Sequence, residues 1–320
     1  MKNKNGVMSV KAIIEKITEQ IQEGIYPGAS LALYRNGQWS EHYLGLADPE
    51  KGEPVEADLV YDLASVSKVV GVATICAFLY TKGELALDRP FKEFYPRFAH
   101  DKTTIRELLT HTSGLDPFIP NRDQLDARQL KTALENLQLK EDKSFHYTDV
   151  NFLLLGFWLE ERFNQPLDRL FEELIFIPWK MTETRFGPVE KAVPTVRGLA
   201  SGSVHDPKAR VLGRHAGSAG LFSTVADLER FLEHYLKDDF ARDLSQNFAR
   251  EEGKTRALGW NLEGDWLDHT GYTGTFIMYN RKSQEAVIFL SNRTYEKDER
   301  AQWILDRNSL MDLIKQECEK

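Results

Sequence analysis

Apolar positions recur at helical spacing at Ile13, Ile14, Ile17 and Ile21, and Gly24 ends the run. Two strand-like runs, ASLALYR and QWSEHYLGLA, then flank Asn36-Gly37, a strong short-range hairpin signal. Near the other end, ALGWNL (257–262), DWLDH (265–269), TGTFIMYN (273–280) and EAVIFLSN (285–292) read as short strands. A terminal helix follows, with Trp303, Ile304, Leu310, Leu313 and Ile314 as its apolar side. Between these ends, from about Glu84 to Met181, the period is helical. Thr104-Ile-Arg-Glu107 has the form of a capping box, and Gly114 is the expected stop. Helices are also expected over Asn151–Phe163 and over Leu167–Ile177, the latter ended by Pro178. Residues 182–220, rich in Gly, Pro, Ser and Thr, predict a long irregular connection, and such loops are usually functional.

Strands at both ends with helices between them imply an α+β fold. The expected architecture is an antiparallel sheet flanked by helices and built from residues 1–84 and 213–320. An all-helical domain, residues 85–212 with the irregular connection, is inserted in the middle. A cleft between the two parts is the natural place for a site.

Charge removes several function classes. The formal net charge is −8 and the pI near 5.6. No dense basic cluster carries interleaved aromatics, so neither nucleic acid nor an anionic membrane surface is an expected partner. The longest apolar runs, Val69–Tyr80 and Phe152–Leu159, are shorter than the ~20 residues of a membrane span. Cys76 and Cys318 have no zinc-ligand spacing and read as free thiols. The start, MKNKNGVMSVKAIIEKITEQ, lacks the apolar core of a secretory leader. The expected location is therefore cytoplasmic, or extracytoplasmic if a leader has been removed. No Walker loop, HExxH or Gly-x-Ser-x-Gly elbow is present. His205-Asp206 with His215 show no recurring ligand spacing and read as loop polar residues. No metal or cofactor is expected, and the oligomeric state is left open.

One stretch carries candidate chemistry. DLASVSKVVGVATICAFLY, Asp62–Tyr80, is apolar nearly all round, with Lys68 its lone cation. On a helix Ser65 and Lys68, three apart, share a face. Ser65 also lies near the helix start, where free N–H groups favour developing negative charge. Burial of the ammonium should lower its pKa and ready it to take the Ser65 proton. Two further stretches align with it: FHYTDVNF, with Tyr147, Asp149 and Asn151, and DHTGYTG, with His269, Thr270 and Gly271.

In order and spacing these stretches resemble the serine β-lactamase and penicillin-binding-protein superfamily. The branch most similar is that of class C β-lactamases, D-alanyl-D-alanine carboxypeptidases and esterases, with its motifs Ser-x-x-Lys, Tyr-x-Asn and Lys/His-Thr-Gly. LLTHTSGL (108–115), SVHDPKA and AGSAGLFST add to the likeness, which spans nearly the whole chain. The resemblance implies Ser65 as the nucleophile that forms an acyl-enzyme, and Lys68 with Tyr147 as the proton-transfer pair. It implies the N–H groups of Ser65 and Tyr272 as the oxyanion hole, and Asp149, Asn151, His269, Thr270 and Gly271 as substrate-binding. The substrate class it implies is a small ester, amide or peptide. A penicillin-binding carboxypeptidase and a class C-type β-lactamase are the alternatives within enzymes; a non-catalytic sensor or scaffold is the alternative outside them.

Two positions depart from the pattern. Asp149 stands where the family most often has Asn, and an ionised Asp cannot donate to a substrate carbonyl. Its other reading is the N-cap of the following helix. His269 replaces a lysine, and a histidine that is partly charged at neutral pH would grip a carboxylate less firmly. His111, in THTSGL, reads as a residue that satisfies backbone groups.

Overall fold

A computed structural model describes residues 10–250 and 254–318. Residues 1–9, part of the start on which the leader reading rests, lie outside the described residues. The chain opens with α1 (Val10–Gln22), β1 (Gly28–Arg35), β2 (Gln38–Asp48), β3 (Glu53–Pro54) and β4 (Tyr61–Asp62). Helices follow: α2 (Thr74–Thr81), α3 (Ile105–Thr110), α4 (Ala127–Glu135), α5 (Val150–Phe163) and α6 (Leu167–Phe171). Then come β5 (Arg185–Phe186), α7 (Pro207–Leu212), β6 (Leu221–Ser223) and α8 (Val225–Lys237). Strands β7 (Asn261–Glu263), β8 (Trp266–Thr270), β9 (Phe276–Asn280) and β10 (Glu285–Ser291) precede α9 (Arg300–Cys318).

The main sheet is antiparallel, in the order β3-β2-β1-β10-β9-β8-β7. Its two halves come from the two ends of the chain and meet where β1 pairs with β10, Ala29 opposite Ser291. The β1–β2 hairpin closes through Asn36 and Gly37, at φ 52° and 80°, the mirror-image turn that matches strand twist. Both faces are covered. Leu31, Leu33, Phe276, Met278, Val287 and Phe289 pack against α1 and α9 through Ile13, Ile17, Trp303, Leu310 and Ile314. Residues of the opposite face, such as Ala32, Ile277, Tyr279 and Ile288, enter a second core. It runs unbroken through α8 and α2 into α5.

The segment Ala64–Thr81 lies in that second core. By length and composition alone its 18 residues could cross a membrane, but 78% of them are buried within the fold. Such burial is that of a central core helix, and it explains the absence of a polar face.

Three local expectations change. ALGWNL forms strand only from Asn261, because Gly259 takes φ 84° and the Ala257 N–H bonds to Trp260 O in a tight turn. The capping box of α3 forms, Thr104 Oγ1 accepting from Glu107 N–H and the Glu107 carboxylate accepting from Thr104 N–H. That helix ends at His111, at φ 58°, three residues before Gly114, and Thr112 N–H returns to Glu107 O. Within residues 182–220 a short helix, α7, starts where Asp206 caps Ala209 N–H and Pro207 takes the first turn.

Candidate active site

The site begins at a strained turn. Ala64 has φ 45°, a region costly for a residue with a Cβ. Several bonds hold it there. Buried Asp62 accepts from Ala64 N–H at 2.8 Å and from His205 N–H at 2.7 Å. Thr273 Oγ1 donates to Asp62 O at 2.9 Å and Thr275 Oγ1 to Leu63 O at 3.1 Å. Gly271 packs so closely on this turn that a Cβ there would overlap Thr275 Oγ1 and lie 2.6 Å from Leu63 O. The glycine of the His269-Thr270-Gly271 motif is thus demanded by close approach of two segments.

After the turn the backbone is not one uniform helix. A 3₁₀ turn, Ala64–Val66, leads through Ser67 and Lys68 to a π turn, Val69–Ala73, and only then to α2. Thr74 Oγ1 donates to Val69 O at 2.6 Å within that wider turn. Ser65 and Lys68 still share a face, Lys68 Nζ lying 2.8 Å from Ser65 Oγ.

Lys68 is wholly buried and satisfied three times. Its ammonium donates to Ser65 Oγ, to Asp149 Oδ1 at 2.7 Å and to Ser218 O at 2.9 Å. Burial acts to lower its pKa, as the sequence implied. The Asp149 carboxylate and Tyr147 outweigh burial, and the net shift is upward. The expectation of a readily neutral amine is therefore corrected: in this state Lys68 is an ammonium that donates to Ser65.

Asp149 occupies the N-cap position of α5, but its side chain makes no capping bond. It bridges two lysines, Lys68 through Oδ1 and Lys208 through Oδ2 at 3.1 Å. Burial acts to raise its pKa; the two lysines prevail and hold it well below the usual carboxylate range. Asn151, expected to bind substrate, lies elsewhere. It is fully buried, accepts from Ser113 Oγ at 2.8 Å and sits 3.2 Å from His111 Nδ1. Two residues past Asp149, it faces the core beneath the 111–113 turn and lines no part of the cleft.

Tyr147 is 38% exposed at the mouth, its ring centroid 5.2 Å from Lys68 Nζ. His111 underpins it: the rings lie 4.5 Å apart, His111 O accepts from His146 N–H, and Nδ1 accepts from Thr148 N–H. His111 thus satisfies backbone groups on both sides of Tyr147.

Opposite stands the end of β8. His269 is buried, and that burial, with Lys68 and Arg256 nearby, holds its pKa well below the ordinary value. It is neutral at neutral pH, against the partly charged state expected. Thr270 Oγ1 accepts from Arg307 at 3.1 Å. The Tyr272 ring stacks on His205 and on Arg293, whose Nε donates to Tyr272 O at 2.8 Å. Among the described residues, the N–H groups of Ser65 and Tyr272 find no acceptor in the surrounding loops and turns.

The cleft has two lobes that share Ser65, Tyr147 and Tyr272. The larger, about 640 Å³, is bounded by Asp149, Lys208, Leu199 and Val196. The smaller, about 220 Å³, is lined by His269, Thr270 and the cations Lys254, Arg293, Arg300 and Arg307. His205 and His215 do not meet: the first stacks on Tyr272, the second pairs with Glu160 at 2.5 Å.

Sequence reasoning missed Asp62, Thr273, Thr275 and Lys208. The threonines read as strand residues, and Lys208 fell inside SVHDPKA, which received no role. The available signal was Asp149 itself, since an added carboxylate beside a buried lysine calls for a second cation.

The Beta-lactamase family model matches residues 13–310. The chain belongs to the Beta-lactamase family. A protein of Escherichia coli (strain K12) named "Putative D-alanyl-D-alanine carboxypeptidase" is 28% identical over 353 residues, covering 87% of this chain and 81% of the relative. Among solved structures, a β-lactamase/D-alanine carboxypeptidase from Pseudomonas syringae superposes with TM-score 0.75 at 21% identity, covering 94% of this chain and 98% of that one. EstCE1, a hydrolase with promiscuous acyltransferase activity, does so with TM-score 0.74 at 19% identity, covering 95% and 98%. These two likenesses establish the shared fold. This β-lactamase-family chain is a serine hydrolase.

Proposed function

We propose that the protein hydrolyses small esters and amides through an acyl-enzyme on Ser65. The observation that carries this reading is Ser65 Oγ, 2.8 Å from Lys68 Nζ in a cleft that Tyr147 and Tyr272 also line. Once Lys68 has released its resting proton to solvent, the hydroxyl attacks the carbonyl carbon, and the Ser65 proton passes to the Lys68–Tyr147 pair and on to the leaving oxygen or nitrogen. The N–H groups of Ser65 and Tyr272 hold the tetrahedral oxyanion, a contribution of about 3 kcal/mol per donor in comparable enzymes. Water then cleaves the acyl-enzyme by the reverse proton path.

Four cations around the smaller lobe favour substrates with a carboxylate near the scissile bond. That favours a D-alanyl peptide, the substrate named for the curated relatives, as the second reading. A panel of p-nitrophenyl esters, D-aminoacyl amides, D-alanyl-D-alanine peptides and β-lactams tests both. Turnover that disappears in Ser65→Ala, with a fluorophosphonate adduct on Ser65, is the expected result. No adduct and no turnover of any class would refute the acyl-enzyme. Equal turnover of carboxylate-bearing and carboxylate-free substrates would refute the peptide reading alone.

A further inference from the structure

We propose that Lys208, acting through Asp149, is the positioning residue that allows Lys68 to give up a proton. The proposal rests on Ser65 as nucleophile and extends that reading to a residue of α7 outside the Ser-x-x-Lys, Tyr-x-Asn and His-Thr-Gly motifs. Lys208 is largely buried, its side chain 14% exposed. It reaches Asp149 Oδ2 at 3.1 Å and Asp206 Oδ2 at 3.8 Å, while Asp149 Oδ1 lies 2.7 Å from Lys68. One carboxylate is thus shared between two ammonium groups.

The consequence follows from counting charge. With Lys68, Asp149 and Lys208 all ionised the trio carries one net positive charge. When Lys68 is neutral, Asp149 still has Lys208 as its cation at 3.1 Å, a partner it shares with the more distant Asp206 at 3.8 Å. Without Lys208, a neutral Lys68 would leave the Asp149 carboxylate with no cation, a state burial penalises. The same carboxylate would then bind the Lys68 proton more tightly. An asparagine at 149 would raise no such demand, so Asp149 and Lys208 form one device.

Other charges around Lys68 do not replace Lys208. Tyr147 faces it from the turn before α5, and His269 and His111 approach from β8 and the end of α3. Both histidines are held neutral by burial and nearby cations. Asp206, beyond Lys208, is the other acidic partner of that lysine.

The test is the pH dependence of Ser65 labelling by a fluorophosphonate, read by intact mass between about pH 5 and 9. Wild type is compared with Lys208→Met, Lys208→Gln, Lys208→Arg, Asp149→Asn and Asp149→Asn/Lys208→Met. In Lys208→Met and Lys208→Gln the acid limb should move up by about one pH unit, with labelling at pH 7 about tenfold slower. Lys208→Arg should restore most of the rate. In the Asp149→Asn background, Lys208→Met should change the rate by less than about twofold, since the charge it balances is gone. Thermal melts separate these effects from loss of fold, and the Gln and Arg variants carry the test if Met unfolds the protein. An unmoved acid limb in a folded variant overturns the proposal, as does an equal loss in the Asp149→Asn background. A rise in ester KM with kcat and the pH profile unchanged also overturns it, making Lys208 a substrate ligand. Failure of wild type to label, or labelling that survives Ser65→Ala, instead removes the nucleophile reading.

Discussion

The two sides of the cleft are built by different physics. On the helical side, Lys68, Asp149 and Lys208 form a chain of charges around Ser65. On the sheet side, the groups that hold the Ser65 turn are uncharged, a glycine and the hydroxyls of Thr273 and Thr275 beside a neutral His269, although four cations line the adjoining lobe. The charged side governs where protons reside; the neutral side governs where atoms sit. Perturbing the first should move pH profiles, and perturbing the second should move rates and stability at every pH.

The largest expected effect is on the charged side. Lys68→Met should lower kcat/KM for a p-nitrophenyl ester by about 10³-fold or more. Stability should fall by no more than about 1–3 kcal/mol, because Asp149 keeps Lys208 as its partner while the buried Ser218 carbonyl loses its Lys68 donor. A large loss of thermal stability together with activity would mean that Lys68 is mainly structural, and the contrast would fail.

Gly271→Ala is the matching blow to the neutral side. The added Cβ must displace Thr275 or the Leu63 carbonyl, and with them the turn that carries Ser65. A shift of about 1 Å costs roughly 10²-fold in rate, and overpacking costs about 1–3 kcal/mol. Both kcat and the urea midpoint should fall, with the pH profile unmoved. A displaced acid limb in this variant would show that the two sides are not separable.

This division also explains what the sequence revealed. Ser65, Lys68, Tyr147 and the His269 motif were legible because each falls in a short run of characteristic spacing. The sheet built from both chain ends was legible because alternation and the Asn36-Gly37 turn are local signals. What stayed hidden depends on distance through space. The Lys68 pKa is decided by a carboxylate 81 positions away, and the sign inferred from burial alone was reversed by it. Asn151 looked like a motif residue, yet helix geometry turns it into the core. Strain at Ala64 has no sequence mark, since glycine is absent where the backbone calls for it.

Asp62 belongs to the turn shared by both sides and titrates. Burial, opposed by two N–H bonds, pushes its pKa up from 3.8 to about 6. The folded state then binds this proton more tightly than the unfolded chain. Its stabilising contribution is full below about pH 4 and is lost as pH rises through 6, by roughly 3 kcal/mol at most. Asp149, shifted the other way, loses its contribution only in stronger acid. Urea unfolding of wild type and Asp62→Asn at pH 4.5 and 7.5 separates them. The substitution should cost about 1–2 kcal/mol more at pH 4.5 than at pH 7.5. An equal cost at both would show that Asp62 keeps an ordinary carboxylate pKa.

The smallest effects probe the hydroxyl stitches. Thr275→Val keeps the shape of the side chain and removes the donor to Leu63 O. That carbonyl still accepts from Val66 N–H at 3.0 Å, so it is not left bare. The cost should be near the value of one ordinary hydrogen bond, about 1 kcal/mol. Thr273→Val removes the donor to Asp62 O and should cost a similar amount. Because both hydroxyls hold one strained turn, losing them together should exceed the sum of the single losses. The excess should show in kcat more than in KM, since what moves is the pair of N–H groups proposed to meet the oxyanion. Strict additivity in a double-mutant cycle would mean that Asp62 and the packing of Gly271 hold Ala64 without help from the threonines.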